Sequence, residues 1–168
     1  QMKYLSTNLG MPRVGRKREL KFATEKYWRQ EITASELLST ATDVVDDIYS
    51  QQLNEGIDLI PVNDFSFYDR VLDLCCLLSV TPERFSQDEK PFFLDEYFRL
   101  ARGDGNIAAM EMTKWFDTNY HYLVPEIEAT TNPSFSDKLF AQQILPELNS
   151  KKQKFCLIGP VTFLALAK

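Results

Sequence analysis

The run IDLIPV, residues 57–62, is almost unbroken in its apolar character and gives way at once to the polar Asn63, Asp64 and Ser66. A strand with one wet face alternates apolar and polar side chains. A short continuous apolar run bounded by turn residues fits a strand covered on both faces. That coverage comes from helices packed on the two sides of a parallel sheet. Three other short apolar segments, around residues 5–10, 109–116 and 155–159, read as further strands. Helical patterns fill the intervals: residues 17–29, a stretch opening at Thr33, then 67–78, 94–101 and 136–145, with Pro146 as the stop of the last. The stretch at Thr33 is the best marked. Thr33 and Glu36 form a capping box, Leu37, Ala41, Val44, Val45 and Ile48 keep one face, and Gly56 suits the position just past the end.

Strands alternating with crossover helices define an α/β chain with a parallel sheet. Four strand–helix units are half of a (β/α)8 TIM barrel, which takes ~250 residues. The terminal PVTFLALAK reads as the start of one more helix. The chain is therefore either a small open sheet or a barrel cut near its middle, and periodicity leaves both open. In either case the loops after strand C-termini carry ligands. This places Asn63–Asp64 and the DTNYHY stretch after Phe116 on a functional rim.

Composition narrows the class. With 44% hydrophobic and 26% charged residues, the 168-residue chain has the balance of a soluble globular protein. It shows no run of 18 apolar residues and no apolar leader at its start, where Met2 reads as the native first residue. Cys75, Cys76 and Cys156 lie in apolar surroundings without a CxxC, which points to a reducing, cytoplasmic setting and to three buried small hydrophobes.

The net charge of −5 is unevenly spread: residues 1–29 carry eight Lys and Arg against two Glu, and the remainder eleven against 22 acids. An acidic body with a basic leading segment argues for a local anion site, and against a nucleic-acid surface. The segment GMPRVGRKRELK, residues 10–21, is a Gly- and Pro-broken loop running into a helix. Arg18 and Lys21, three apart, are expected on one face of its first turns, at the positive end of the helix dipole. Cations are unfavourable there unless an anion joins them; a solvated basic patch is the plain alternative. No phosphate-loop spacing accompanies the glycines.

The segment MEMTKWFDTNYHYLVPE, residues 110–126, gathers Lys114, Asp117, Asn119 and His121 among aromatics. His121 is the single histidine, and no GxSxG accompanies it, so a Ser–His–Asp hydrolase is disfavoured. Nor do the cysteines stand at zinc-ligand spacing. Asp46, Asp47, Asp95 and Glu96 read as helix surface charge, and Asp64 as a turn or capping residue.

LGMPRVGRKRELK, GIDLIPVNDFSFYDRVLD, EMTKWFDTNYHYLVPE and LIGPVTFLALAK, in this order from Leu9 to Lys168, resemble the N-terminal region of the cobalamin-independent methionine synthase family. The resemblance implies the first four βα units of an N-terminal TIM barrel, with a C-terminal catalytic barrel absent from residues 1–168. It implies transfer of a methyl group from 5-methyltetrahydropteroyltri-L-glutamate to L-homocysteine to form methionine. The N-terminal barrel contributes folate-polyglutamate binding, and zinc with the homocysteine ligands lies in the C-terminal barrel. On this resemblance Arg18, Glu19, Leu20 and Lys21 match the family's RELK block, and Lys114 the lysine of its MTKWF block. No catalytic or metal residue is expected in this chain, which alone should be inactive. Met11 replaces a usual phenylalanine, Asn63 a common glycine, and the loop at 103–106 is short. The competing reading is a free-standing α/β binding or interaction module, pairing as a homodimer through exposed sheet edges.

Overall fold

The computed structural model describes residues 4–85, 93–136 and 153–168. Its elements are α1 (Glu19–Trp28), α2 (Ala34–Asn54), β1 (Ile60–Val62), α3 (Arg70–Leu77), α4 (Phe93–Arg102), β2 (Met112–Lys114), β3 (His121–Leu123), β4 (Gln153–Phe155) and α5 (Pro160–Leu166). A 3-10 turn, Glu83–Phe85, precedes α4. The expected helix over 136–145 and its stop at Pro146 lie outside the described residues, apart from Ser136. The described residues divide into two compact units, residues 4–67 with 153–157, and residues 68–85 and 93–136 with 158–168.

In the first unit α1 packs on α2, burying Leu20, Ala23, Leu37, Ala41 and Val44. The capping box forms as expected. The Glu36 N–H donates to Thr33 Oγ1 at 3.3 Å, while the Thr33 N–H donates to Glu36 Oε2 at 2.7 Å. Gly56, at φ 77°, ends α2 with both bonds of a Schellman turn, Gly56 N–H to Leu53 O and Ile57 N–H to Gln52 O, each 3.1 Å. Thr33→Ala should therefore cost about 1 kcal/mol in urea unfolding. Helix α1 ends in the same turn, but with Gln30 at φ 60° in the left-handed position. Gln30→Gly should accordingly raise stability by about 1 kcal/mol, read as a higher urea midpoint.

The apolar run behaves as its composition demands. All three residues of β1 are buried, and β1 pairs in parallel with β4 in the register Ile60↔Gln153, Pro61↔Lys154, Val62↔Phe155. The segment at 5–10 contributes one parallel bridge, Thr7 to Leu59.

The second unit corrects the expectation for residues 109–116. Among the described residues strand β2 joins no parallel ladder: it forms an antiparallel hairpin with β3, in the register Met112↔Leu123, Thr113↔Tyr122, Lys114↔His121. The reason is the connection. Parallel neighbours need a crossover of a dozen or more residues, whereas Asp117, Thr118 and Asn119 make a tight polar turn. The Trp115 N–H donates to Tyr120 O at 2.7 Å, and Thr118 Oγ1 donates to Trp115 O at 2.7 Å. Of the DTNYHY stretch, residues 117–120 form the turn and only His121 and Tyr122 are strand. The described residues form a mixed α/β arrangement with two two-stranded sheets and no closed barrel.

Around the hairpin, α3 buries Val71, Leu72 and Cys75, and α4 buries Leu94, Tyr97, Phe98, Leu100 and Ala101. Helix α3 begins at Arg70, three residues later than its periodicity indicates, because Asp69 caps it. Arg84 clamps this unit. Its guanidinium donates to both oxygens of Glu126 and to the carbonyls of Ala108 and Ala109, and it lies 4.9 Å from the Phe85 ring centroid. The hydrogen bonds from Arg84 hold the Glu126 carboxyl below the usual glutamate range. A carboxyl with a depressed folded pKa contributes stability above its unfolded value and loses it as pH falls. Glu126→Gln should flatten the loss of stability below about pH 4.3, as followed by circular dichroism across an acid titration.

Only one cysteine matches the expectation of full burial. Cys75 is buried, while Cys76 and Cys156 are partly exposed. Desolvation still pushes the thiols of Cys75 and Cys76 well up, so neither is a ready nucleophile. Among the described residues no helix is long and apolar enough to cross a membrane.

Candidate anion-binding site

The basic loop of the first unit is built around two glycines. Gly10 adopts φ 115°, and its N–H donates to Asn8 Oδ1 at 2.8 Å. The Met11 N–H donates to Asp64 Oδ2 at 3.2 Å. Asp64 is thus the turn residue it reads as, reaching back from the loop after β1. Its neighbour Asn63 holds φ 58°, a conformation that asparagine and glycine tolerate better than other residues. Arg13 donates to Phe67 O at 3.3 Å. Beneath these contacts, Asn8 donates to the buried Gln52 at 2.7 Å, and Lys154 Nζ donates to Asn8 O at 2.6 Å.

The loop then turns into α1. The Arg18 N–H donates to Gly15 O at 3.2 Å and the Leu20 N–H to Val14 O at 3.1 Å. The four residues of the RELK block consequently face different surroundings. Leu20 is fully buried in the core of the unit. Glu19 folds back, accepting the Lys17 N–H at 2.9 Å, and fills the space beside Gly15. Both side chains shape the loop.

Arg18 departs from the expectation that it shares a helical face with Lys21. It is the residue before the helix, at φ 65° and ψ 32°, because the turn closed on Gly15 reverses the chain there. A non-glycine residue in this left-handed region carries strain of about 1–2 kcal/mol. Its exposed guanidinium has no ion pair or hydrogen bond among the described residues. Lys21, in the first turn of α1, stands 3.7 Å from Glu25 with both side chains well exposed, so the pair is weak. By contrast, Arg16 is bound to Asp47 and Gln51, and Arg29 to Glu31. The shallow groove beside the loop is lined by Glu19, Asp43 and Asp47 as well as Arg16. Its acidity suits no carboxylate ligand.

Lys114 belongs to the second unit. It is exposed at the end of β2, across from His121, and has no ion pair or hydrogen bond among the described residues. His121 is itself exposed, with Nδ1 donating to Asn119 O at 3.0 Å. Among the described residues no three of His, Cys, Asp and Glu come together to hold a metal ion.

Sequence reasoning passed over Asp69. It is 2% exposed, and its two oxygens accept from three donors in α3, β3 and the hairpin turn. Burial raises its carboxyl pKa above the usual aspartate value, against the lowering effect of those donors. The available signal was an aspartate directly before the apolar run RVLDLCCL, a helix N-cap pattern.

The cobalamin-independent synthase N-terminal domain matches residues 5–168, and the chain belongs to that family. It is 46% identical over 160 residues to the 5-methyltetrahydropteroyltriglutamate–homocysteine methyltransferase of Neisseria meningitidis serogroup B strain MC58, covering 95% of this chain and 21% of the relative. The enzyme of the same name from Nitrosomonas europaea is 46% identical over 168 residues, 99% of this chain and 22% of the relative. That of Mycobacterium leprae strain TN is 45% identical over 166 residues, 98% and 22% respectively. The chain spans about a fifth of the length of the curated relatives it matches.

Proposed function

We propose that this chain is the N-terminal part of the folate-binding half of a methionine-forming methyltransferase, and that its task is to hold the polyglutamate tail of the methyl donor. The observation that carries the reading is Arg18. A strained backbone presents an exposed guanidinium, unpaired among the described residues, at the start of α1, with Lys21 one turn on. The turn closed on Gly15 holds that backbone in place, and strained residues of this kind gather where ligands bind. A γ-linked glutamate tail offers a series of carboxylates, and a guanidinium can take one through two parallel hydrogen bonds. Lys114, in the second unit, is taken by itself as a partner for a tail carboxylate. The backbone N–H groups at the start of α1 add a favourable field for an anion.

In this reading the chain supplies binding and orientation, not the methyl-transfer step. The TIM-barrel completion, the zinc that activates homocysteine as its thiolate, and a cytoplasmic location belong to the full-length enzyme. No residue here is assigned to metal. Titration calorimetry of the chain with pteroyltri-γ-glutamate and pteroylmonoglutamate tests the proposal. Arg18→Ala with Lys21→Ala should weaken the triglutamate by about 10- to 100-fold, since charge-assisted bonds contribute about 1.5–3 kcal/mol each before solvent screening. Monoglutamate affinity should change far less. Unchanged triglutamate affinity in the double variant would overturn the assignment.

A second reading rests on Phe155 and Leu157, exposed on and just beyond β4. An apolar strand edge can pair with another copy. Light scattering at high protein concentration separates the readings, because a strict monomer counts against the interaction module.

A further inference from the structure

Lys114 rides on a strand that buries nothing: Met112, Thr113 and Lys114 are all exposed. The side chains of β2 itself therefore do not set its direction. Strand β2 is held by pairing with β3, where Tyr122 and Leu123 are buried, and by the turn between them. Both fastenings lead to one carboxylate. Asp69 Oδ2 accepts the Leu72 N–H at 2.9 Å and the Leu123 N–H at 3.1 Å, while Oδ1 accepts the Tyr120 hydroxyl at 2.9 Å.

Capping α3 needs only one of these bonds, and asparagine or serine could supply it. A buried carboxylate is a costly substitute unless its remaining lone pairs are used. Here they are used by the hairpin. Tyr120 joins the turn at several points. Its carbonyl accepts the Trp115 N–H, its own N–H donates to Thr118 Oγ1 at 3.2 Å, and its ring lies edge-on to Trp115 at 6.2 Å. Trp115 directly follows Lys114. A tether at the Tyr120 hydroxyl thus fixes the turn adjacent to the amine.

We propose that Tyr120 is a positioning residue: its hydroxyl, held on Asp69, fixes the β2–β3 hairpin so that Lys114 meets a carboxylate of the tail. The inference rests on the tail-binding reading of Lys114, and a double-mutant cycle separates the two. Lys114→Ala, Tyr120→Phe and the double variant of the 168-residue chain are titrated with pteroyltri-γ-glutamate and pteroylmonoglutamate. Urea midpoints and amide exchange at Trp115 and Leu123 are measured alongside.

Lys114→Ala should lose about tenfold in triglutamate affinity, the worth of one charge-assisted bond at a wet site. Tyr120→Phe, which keeps the ring, should lose about three- to tenfold for the triglutamate only and speed exchange at both amides. The double variant should be no weaker than Lys114→Ala, because a tether has nothing to orient once the amine is gone. Should Lys114→Ala bind as the unsubstituted chain does, the tail-binding reading of Lys114 falls and the positioning role with it. Should Lys114→Ala weaken binding while Tyr120→Phe does not, or should the two losses add, only the positioning role is overturned. An equal loss for both ligands with a lowered urea midpoint would make the tether purely structural and overturn it as well.

Discussion

Asp69→Ala should destabilise the second unit by about 3–5 kcal/mol in urea unfolding, a large fraction of what a domain of this size has to lose. Leu72 and Leu123 are both fully buried, so their amides would be left facing no acceptor in a dry site. Each orphaned donor costs about 1–3 kcal/mol. The Tyr120 hydroxyl would lose its partner too, but its ring is half exposed and water can replace it. One effect runs the other way. Removing a buried carboxylate also removes its desolvation penalty, which is the cause of its raised pKa. That penalty has a pH signature opposite to that of Glu126. An acid whose folded pKa lies above its unfolded one favours the folded state at low pH, and the contribution declines as pH rises past about 3.9. Asp69→Ala should abolish this decline. Asp69→Asn is the informative companion: it keeps one carbonyl oxygen for the helix cap but turns an N–H2 toward a donor, and should lie between the two.

Gly10→Ala should cost about 2–4 kcal/mol and, on the proposed function, weaken triglutamate binding at the same time. At φ 115° a side chain is strained whatever the surrounding space, by about 1–3 kcal/mol. In addition, a Cβ there would stand 2.5 Å from Asp64 Oδ2 and 3.1 Å from Asp64 Cβ. Asp64 would have to move, giving up the Met11 N–H that ties the loop to the end of β1. The loop leading to Arg18 would then lose its anchor, so stability and affinity should fall together. Gly56→Ala separates the two causes. Gly56 is also left-handed, at φ 77°, but nothing lies within 4 Å of a Cβ there. Its cost should be about 1 kcal/mol, from backbone strain alone. If the two variants were equally destabilised in urea, the contact with Asp64 would not matter.

The elements that were legible in the sequence are those whose signal is local. Thr33 and Glu36 are three residues apart and satisfy each other's backbone, so the start of α2 follows from spacing alone. Gly56 ends the same helix for a reason contained in one residue. The unbroken apolar run at 57–62 required cover on both faces, and β1 is buried throughout. The cationic RELK and MTKWF blocks could be placed by resemblance. What each residue of RELK does could not, because helical spacing assumes that Arg18 is in the helix, and a turn closed on Gly15 keeps it out.

The misread segments share a cause. Residues 109–116 have the composition of a strand, but composition is silent on which strand a partner will be. The short polar turn after Phe116 made β3 the neighbour, and an antiparallel hairpin resulted. Asp69 was overlooked because two of its three donors lie more than 50 residues away, at Tyr120 and Leu123.

From sequence alone came an α/β chain with a basic leading segment and the family blocks that carry it, since periodicity, capping and charge are properties of near neighbours. Tertiary structure decided the rest: that Leu20 is core and Glu19 a loop brace, that Arg18 stands exposed before α1 with no partner among the described residues, and that Lys114 sits on a hairpin tethered to a buried carboxylate. Those outcomes depend on where distant residues meet, and the energies that fix them, burial and hydrogen-bond satisfaction, exist only once the chain has closed on itself.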